Sequence, residues 1–113
     1  RGLGDVYKRQ TLQDLEAALK DVCPETYELM APAGATRAVV WHSYGASHLS
    51  GDDSTLLNVP KVQLDIFYQD LADYLVEDVK NVLRSLYLPY EVQADSYDDE
   101  YALRRCIIQL EVY

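Results

Sequence analysis

The stretch Val59-Pro60-Lys61-Val62-Gln63-Leu64-Asp65-Ile66-Phe67-Tyr68 decides how the rest of the chain is read. Val62, Leu64, Ile66 and Tyr68 alternate with Lys61, Gln63, Asp65 and Phe67, the period of two that sends successive side chains to opposite faces of a sheet. Three of the second set are polar, so that face is expected to be wet or to lie against a partner. From Asp70 the period changes. Leu71, Leu75, Val79, Val82, Leu83 and Leu86 mark one face of a helix of about 17 residues, or about 25 Å. Asp73, Glu77, Lys80, Asn81 and Arg84 mark the other face. Glu77 precedes Asn81 and Lys80 precedes Arg84, so packing rather than i,i+4 ion pairing must hold this helix.

Upstream, Thr11 stands where an N-cap belongs, with Asp14 three residues on, and Leu12, Leu15, Leu19 and Val22 follow at helical spacing. This predicts a helix over about 11–22, stopped by Pro24, and a loop up to Thr36 that contains Pro32 and Gly34. Arg37 to Tyr44, with Val39, Val40 and Trp41, has strand composition. Residues 45–59 concentrate turn formers and read as a long loop, either an interaction element or a surface connection. Downstream, Pro89 ends the long helix. Tyr90, Val92 and Ala94 then start a strand, with Glu91, Gln93 and Asp95 on its other face. Tyr97-Asp98-Asp99-Glu100 reads as a hairpin turn. A last strand turns Cys106, Ile108, Leu110 and Val112 inward and Arg105, Gln109 and Glu111 outward. The order α-β-β-α-β-β predicts an α+β fold, a mostly antiparallel four-stranded sheet with its helices on one face. Such a sheet leaves a second face and at least one strand edge open to self-association.

The chain has 113 residues, enough for one domain, with 49% apolar and 26% charged residues, which places it among globular sequences. No run approaches the roughly 18 apolar residues of a membrane span, and no basic segment leads into an apolar one, so a soluble, non-exported protein without membrane association is expected. Cys23 and Cys106 lack C-x-x-C spacing and suit buried thiols in a reducing compartment. Asp5-Val6-Tyr7-Lys8-Arg9-Gln10 resembles the in-frame translation of a transposase adapter from sequencing libraries. Residues 1–10 are therefore expected to be an artefactual tail on a metagenomic fragment, with one α+β domain over 11–113 and the native N-terminus missing. Arg1, Lys8 and Arg9 against Asp5 make that tail +2, which leaves −11 of the net −9 chain on the other 103 residues. An excess of this sign favours solubility and repels polyanions. With only seven scattered basic residues in the domain, sequence-specific nucleic-acid binding is not expected.

No catalytic constellation emerges. His42 and His48 with Asp52 and Asp53 could be drawn as a metal site, but their spacing matches no zinc or two-histidine-one-carboxylate signature. Asp98, Asp99 and Glu100 lack the dozen-residue spread of a calcium loop and read as a solvated acidic turn. Cys106 is expected to face inward as an inert thiol. Ser43 and Ser47 have no nucleophile elbow around them, and Gly45 and Gly51 form no phosphate cradle. No cofactor is expected. Of the ten tyrosines, Tyr74 on the polar flank of the long helix and Tyr97 and Tyr101 at the hairpin turn are assigned to an interface, since tyrosine joins a large ring to a polar tip.

The run Val59 to Tyr68 followed at once by an amphipathic helix resembles the central strand and helix of the tail-terminator, or tail-completion, proteins of long-tailed bacteriophages. Trp41-His42-Ser43-Tyr44-Gly45, the hairpin Tyr97-Asp98-Asp99-Glu100-Tyr101 and the C-terminal strand add to the resemblance, which covers nearly everything after residue 10. It implies a non-enzymatic virion protein forming a homo-oligomeric ring, commonly of six subunits. The ring caps the tail tube, ends its polymerisation, meets the tail tube protein and the head-completion proteins, and lets DNA pass through. Assembly would take place in the bacterial host cytoplasm. Gly45, His48, Leu49, Asp52, Asp53 and Leu56 within residues 45–59 are then the expected inter-subunit or tube-facing arm, with Asp98 to Glu100 as a second contact edge. A head-tail adaptor or minor capsid protein is the neighbouring reading. A small metal-dependent enzyme using His42, His48 and the acidic loop is the reading from another class.

Overall fold

Thr11 starts the first helix as expected. Its hydroxyl accepts from the Asp14 N–H at 3.0 Å, and the Asp14 carboxylate accepts from the Thr11 N–H at 3.1 Å, a reciprocal cap that satisfies two otherwise unpaired donors. The chain is described by a computed structural model for residues 11–50 and 56–112, with backbone alone for 47–50 and 56–58. Its elements are α1 (Leu12–Val22), β1 (Thr26–Glu28), β2 (Ala38–Ser50), β3 (Leu56–Tyr68), α2 (Leu75–Ser85), β4 (Tyr90–Asp98) and β5 (Leu103–Glu111). The strands form one sheet in the order β1-β2-β3-β5-β4, antiparallel throughout except for β1, which runs parallel to β2. The fold is α+β and mostly antiparallel, as the alternation predicts.

The sheet has five strands rather than four. β1 lies inside the stretch expected to be loop, and three residues are too few to show an alternation. It is fixed by its surroundings: the Thr26 hydroxyl donates to the Cys23 carbonyl at 2.6 Å, and Val39 N–H and Leu29 N–H bond across to Glu25 and Trp41 carbonyls at 2.9 Å.

α2 is shorter than its periodicity suggests, 11 residues starting at Leu75. The cause is local. The Asp70 carboxylate accepts from the Ala72 N–H at 2.9 Å and the Asp73 carboxylate from the Leu75 N–H at 3.0 Å, so side-chain turns hold the backbone that would have been the first helical turn. Leu71, expected to face inward, is exposed, and Tyr74 precedes the helix instead of sitting on its flank. At the other end Leu88 N–H bonds to the Leu83 carbonyl at 2.9 Å and Tyr87 N–H to that of Arg84 at 3.0 Å, with Tyr87 at φ 57°. A tyrosine thus occupies the left-handed position where helices favour glycine, at a cost of about 1 kcal/mol.

Both helices pack on the sheet face that carries Val39 and Trp41 of β2, Leu64 and Ile66 of β3, and Cys106 and Ile108 of β5. Leu15 and Leu19 enter from α1, and Val79 and Leu83 from α2. Leu64, Ile66 and Ile108 are fully buried, each a contribution of about 2 kcal/mol from apolar area removed from water. The single tryptophan, Trp41, is 6% exposed and its indole N–H donates to Glu16 Oε2 at 2.9 Å, tying α1 to β2.

Residues 45–59, expected to be a loop, are largely strand. β2 and β3 stay paired to Ser50 opposite Leu56, with a register shift between Ser43 and Gly45. The turn-forming composition is overridden by the ladder continuing from the body of the sheet. β1 pairs with β2 only as far as Trp41, and β5 pairs with β3 only from Lys61, so the far ends of β2 and β3 form a two-stranded arm beyond the helices. The radius of gyration is 15.4 Å, against about 13 Å for a compact chain of this length. β4 shows a second correction: an extra residue between Val92 and Ala94 moves Ala94 to the face opposite Val92, so the expected alternation breaks at Gln93.

Arg37 at the start of β2 clasps Asp73 before α2 through two bonds, Nε–Oδ2 at 2.7 Å and Nη2–Oδ1 at 3.0 Å. The Arg37 hydrogen bond, aided by the Leu75 N–H, holds the Asp73 carboxyl below its ordinary value. A depressed folded value stabilises the fold above the unfolded carboxylate value of about 3.9, and that stability is lost as pH falls through the folded value. Asp73→Asn is expected to be less stable than the parent at neutral pH, with the difference shrinking as pH falls below the unfolded carboxylate value of about 3.9 and through the lower folded one; denaturant titrations at stepped pH measure it.

Candidate interaction surfaces

The sheet face away from the helices carries a polar chain running across β3 and β5. Arg105 Nη2 meets Asp65 Oδ2 at 3.0 Å, and Arg105 Nη1 meets Asp98 Oδ2 at 3.2 Å. The Gln63 amide donates to Asp65 Oδ1 at 3.0 Å, and the Gln109 amide donates to Gln63 Oε1 at 3.2 Å. The guanidinium lies 5.6 Å from the Phe67 ring centre and 5.8 Å from that of Tyr101, and the two rings are 5.2 Å apart. Asp65 is only 8% exposed. This end of the face is therefore not wet, because the turn after β4 and residues 29–36 fold over it. Val40, Phe67 and Leu103 with Ala31 make a second, small apolar cluster there. Between that segment and the sheet runs a groove of about 690 Å³, bordered by Leu29, Met30, Phe67 and Tyr101.

The residues assigned to the hairpin separate into two roles. Asp98 closes β4 and is engaged three ways: its carboxylate accepts from Glu100 N–H at 2.9 Å and Tyr101 N–H at 3.3 Å, and it pairs with Arg105. Asp99 and Glu100 are exposed in the turn, and Tyr97 and Tyr101 are both about half exposed. Tyr74 is 76% exposed at the entry to α2.

Two sheet margins lack a partner strand among the described residues. β4 is outermost on one side, and every residue from Glu91 to Tyr97 is exposed, Val92 at 42% and Tyr97 at 54%. The helices do not reach over it. The opposite margin is β1 and, beyond its end, β2 from His42 onwards. Gly45 lies in this margin, where the register shifts, with open space around its Cα. The backbones of His48 and Leu49 pair with Asn58 and Leu57, and that of Leu56 with Ser50. Asp52 and Asp53 lie outside the described residues.

His42 is half-buried opposite Gln63, its ring 6.4 Å from that of Tyr44. No group of three or more His, Cys, Asp or Glu gathers among the described residues. The Ser43 hydroxyl donates to the Gly45 carbonyl at 3.3 Å. Cys106 faces the helices fully buried, and burial pushes its thiol up to about 11, so at neutral pH it is a protonated core group.

Sequence reasoning missed Leu29, Met30, Tyr44, Tyr87 and Val92 as exposed large apolar residues. Val92 has an inward alternation and pairs with Ile108, yet it is 42% exposed. Tyr87 is followed within two residues by Pro89, a helix-stop signal that could have flagged it as a cap. Comparison of the chain with protein-family models and with curated proteins finds no match.

Removing one partner of a buried ion pair leaves the other charge with less compensation. Asp65→Ala is expected to cost about 2–3 kcal/mol, read from the denaturant midpoint, because Arg105 keeps Asp98 but loses its inner carboxylate. Both cysteines are free and buried, so thiol labelling at pH 7.5 should be slow in the folded protein and immediate in denaturant; rapid labelling of Cys106 in the native state would contradict its placement.

Proposed function

We propose that the chain is a structural virion-assembly subunit that forms a homo-oligomeric ring at the end of a phage tail tube, ending tail polymerisation and joining tail to head. One observation carries this reading: among the described residues the sheet leaves two different margins without a partner strand, β4 on one side and, beyond the short β1, the arm of β2 on the other. Exposed strand edges template pairing with another chain, and natural monomers shorten or cover them. Here β4 runs for nine residues, and the part of β2 beyond β1, His42 to Ser50, for nine. Because the two margins differ, joining one to the other is a head-to-tail contact, which closes into a ring or continues as a filament.

The acidic surface supports the same reading. Six copies of the domain carry about 66 negative charges, which lets DNA pass a central opening without adhering. The resemblance of the central strand and helix to tail-terminator proteins supplies the tail-specific part of the proposal, including hexameric stoichiometry, contacts with the tail tube and head-completion proteins, and location in the virion. A head-tail adaptor would use the same margins; stoichiometric binding to a tail tube protein favours the terminator.

Purified protein at high micromolar concentration is expected to form closed rings visible by negative-stain microscopy and to sediment well above its 12.9 kDa monomer mass. Replacing residues 47–58 with a short glycine linker should return it to monomer with its thermal transition retained. A wild-type protein that stays monomeric throughout this range would remove the ring from consideration.

A further inference from the structure

The two open margins differ in charge: the edge of β4 is acidic, and His42 to Ser50 of β2 carries no Asp, Glu, Lys or Arg. Residues 29–51, which include all of β2, contain none of the chain's 19 acidic residues but hold both of its histidines, His42 and His48, and Arg37. The segment 91–100, which is β4 and its turn, contains five acids: Glu91, Asp95, Asp98, Asp99 and Glu100. Glu91, Asp95, Asp99 and Glu100 are exposed. In a chain of net charge −9, a nine-residue edge strand without a single carboxylate is the surface that an acidic edge repels least.

We infer that copies of this chain join by adding the free edge of β2, His42 to Ser50, from one copy to the outer edge of β4, Tyr90 to Asp98, of the next, as an antiparallel continuation of the sheet. The inference rests on the proposed self-assembly and specifies its contact. The two segments match in length, nine residues each, or about 30 Å of strand. Strand sense fits as well. β2 is antiparallel to β3, β3 to β5 and β5 to β4, so β4 runs opposite to β2. Through Leu110 and Val62, Tyr90 lies level with Ser43, so the next copy is shifted along the strands by roughly 20 Å, and strands tilted to the assembly axis bring its β2 to β4 in antiparallel orientation.

The alternatives are less favourable. Pairing β4 with β4 joins two strands that each expose Glu91 and Asp95, which gathers like charge along one ladder. Pairing β2 with β2 closes as a dimer and leaves β4 unused.

Proline blocks an edge when it replaces a residue whose N–H points outward, and successive strand residues alternate in that respect. Ser96→Pro and Tyr97→Pro bracket β4, and Ala46→Pro and Ser47→Pro bracket β2. Within each pair the variant that keeps the wild-type circular dichroism and melt is the edge-blocked protein. Native mass spectrometry at a concentration where wild type assembles is expected to show each blocked variant alone as monomer and their equimolar mixture as a one-to-one heterodimer. A β4-blocked protein that dimerises alone would show β2–β2 pairing, and a β2-blocked protein that dimerises alone would show β4–β4 pairing. Either result overturns the inference, as does a mixture that stays monomeric, or blocked variants that assemble like wild type. A wild type that never assembles instead overturns the proposed function on which the contact depends.

Discussion

Strand β3 is hydrogen-bonded on both sides, to β2 and to β5, and its two faces set the position of everything around it. Val62, Leu64, Ile66 and Tyr68 offer an unbroken apolar strip that only helices can cover, so α1 and α2 share one side. Gln63, Asp65 and Phe67 face the other way. There the carboxylate is buried and must be matched, which draws Arg105 across from β5 and, through it, Asp98 at the end of β4. A one-residue slip of β3 would put Asp65 against the helices and Leu64 beneath the turn, so register, core and hairpin closure are one constraint.

How much of this was legible in the sequence follows from how local each signal is. The alternation of Val62 to Tyr68, the cap at Thr11 and the inward set on β5 depend on neighbours a few residues away, and each appears in the structure as read. β1 was invisible because three residues hold no period and its partner, β2, is supplied by tertiary pairing. The turns at Asp70 and Asp73 were hidden by an apolar spacing at Leu71 that mimics a helix although nothing packs on it. The arm has the composition of a loop because glycine and serine report a local preference that a ladder begun elsewhere overrides. Tyr97 and Tyr101 were placed at the hairpin, but the polar chain from Gln109 to Asp98 joins residues far apart in sequence, and no spacing encodes it.

The described surface is uneven in what it offers. One side of the sheet is closed by helices, and half of the other by the turn after β4 and residues 29–36. The margins remain without a partner strand. A charge map follows the same division, with carboxylates on β4 and its turn and none on β2. Under the proposed reading, the fold devotes its core to one face and keeps its edges for neighbours, which is how a small domain can serve assembly without a reactive centre.

Trp41 has a consequence for observing the molecule. It is the sole indole in the chain, shielded from solvent beneath α1 and held by the Glu16 carboxylate. Its emission is therefore an internal optical gauge of whether the first helix is seated, blue-shifted while α1 lies on the sheet and red-shifted once that helix lifts away. Docking of the first helix can be followed in real time without attaching a dye.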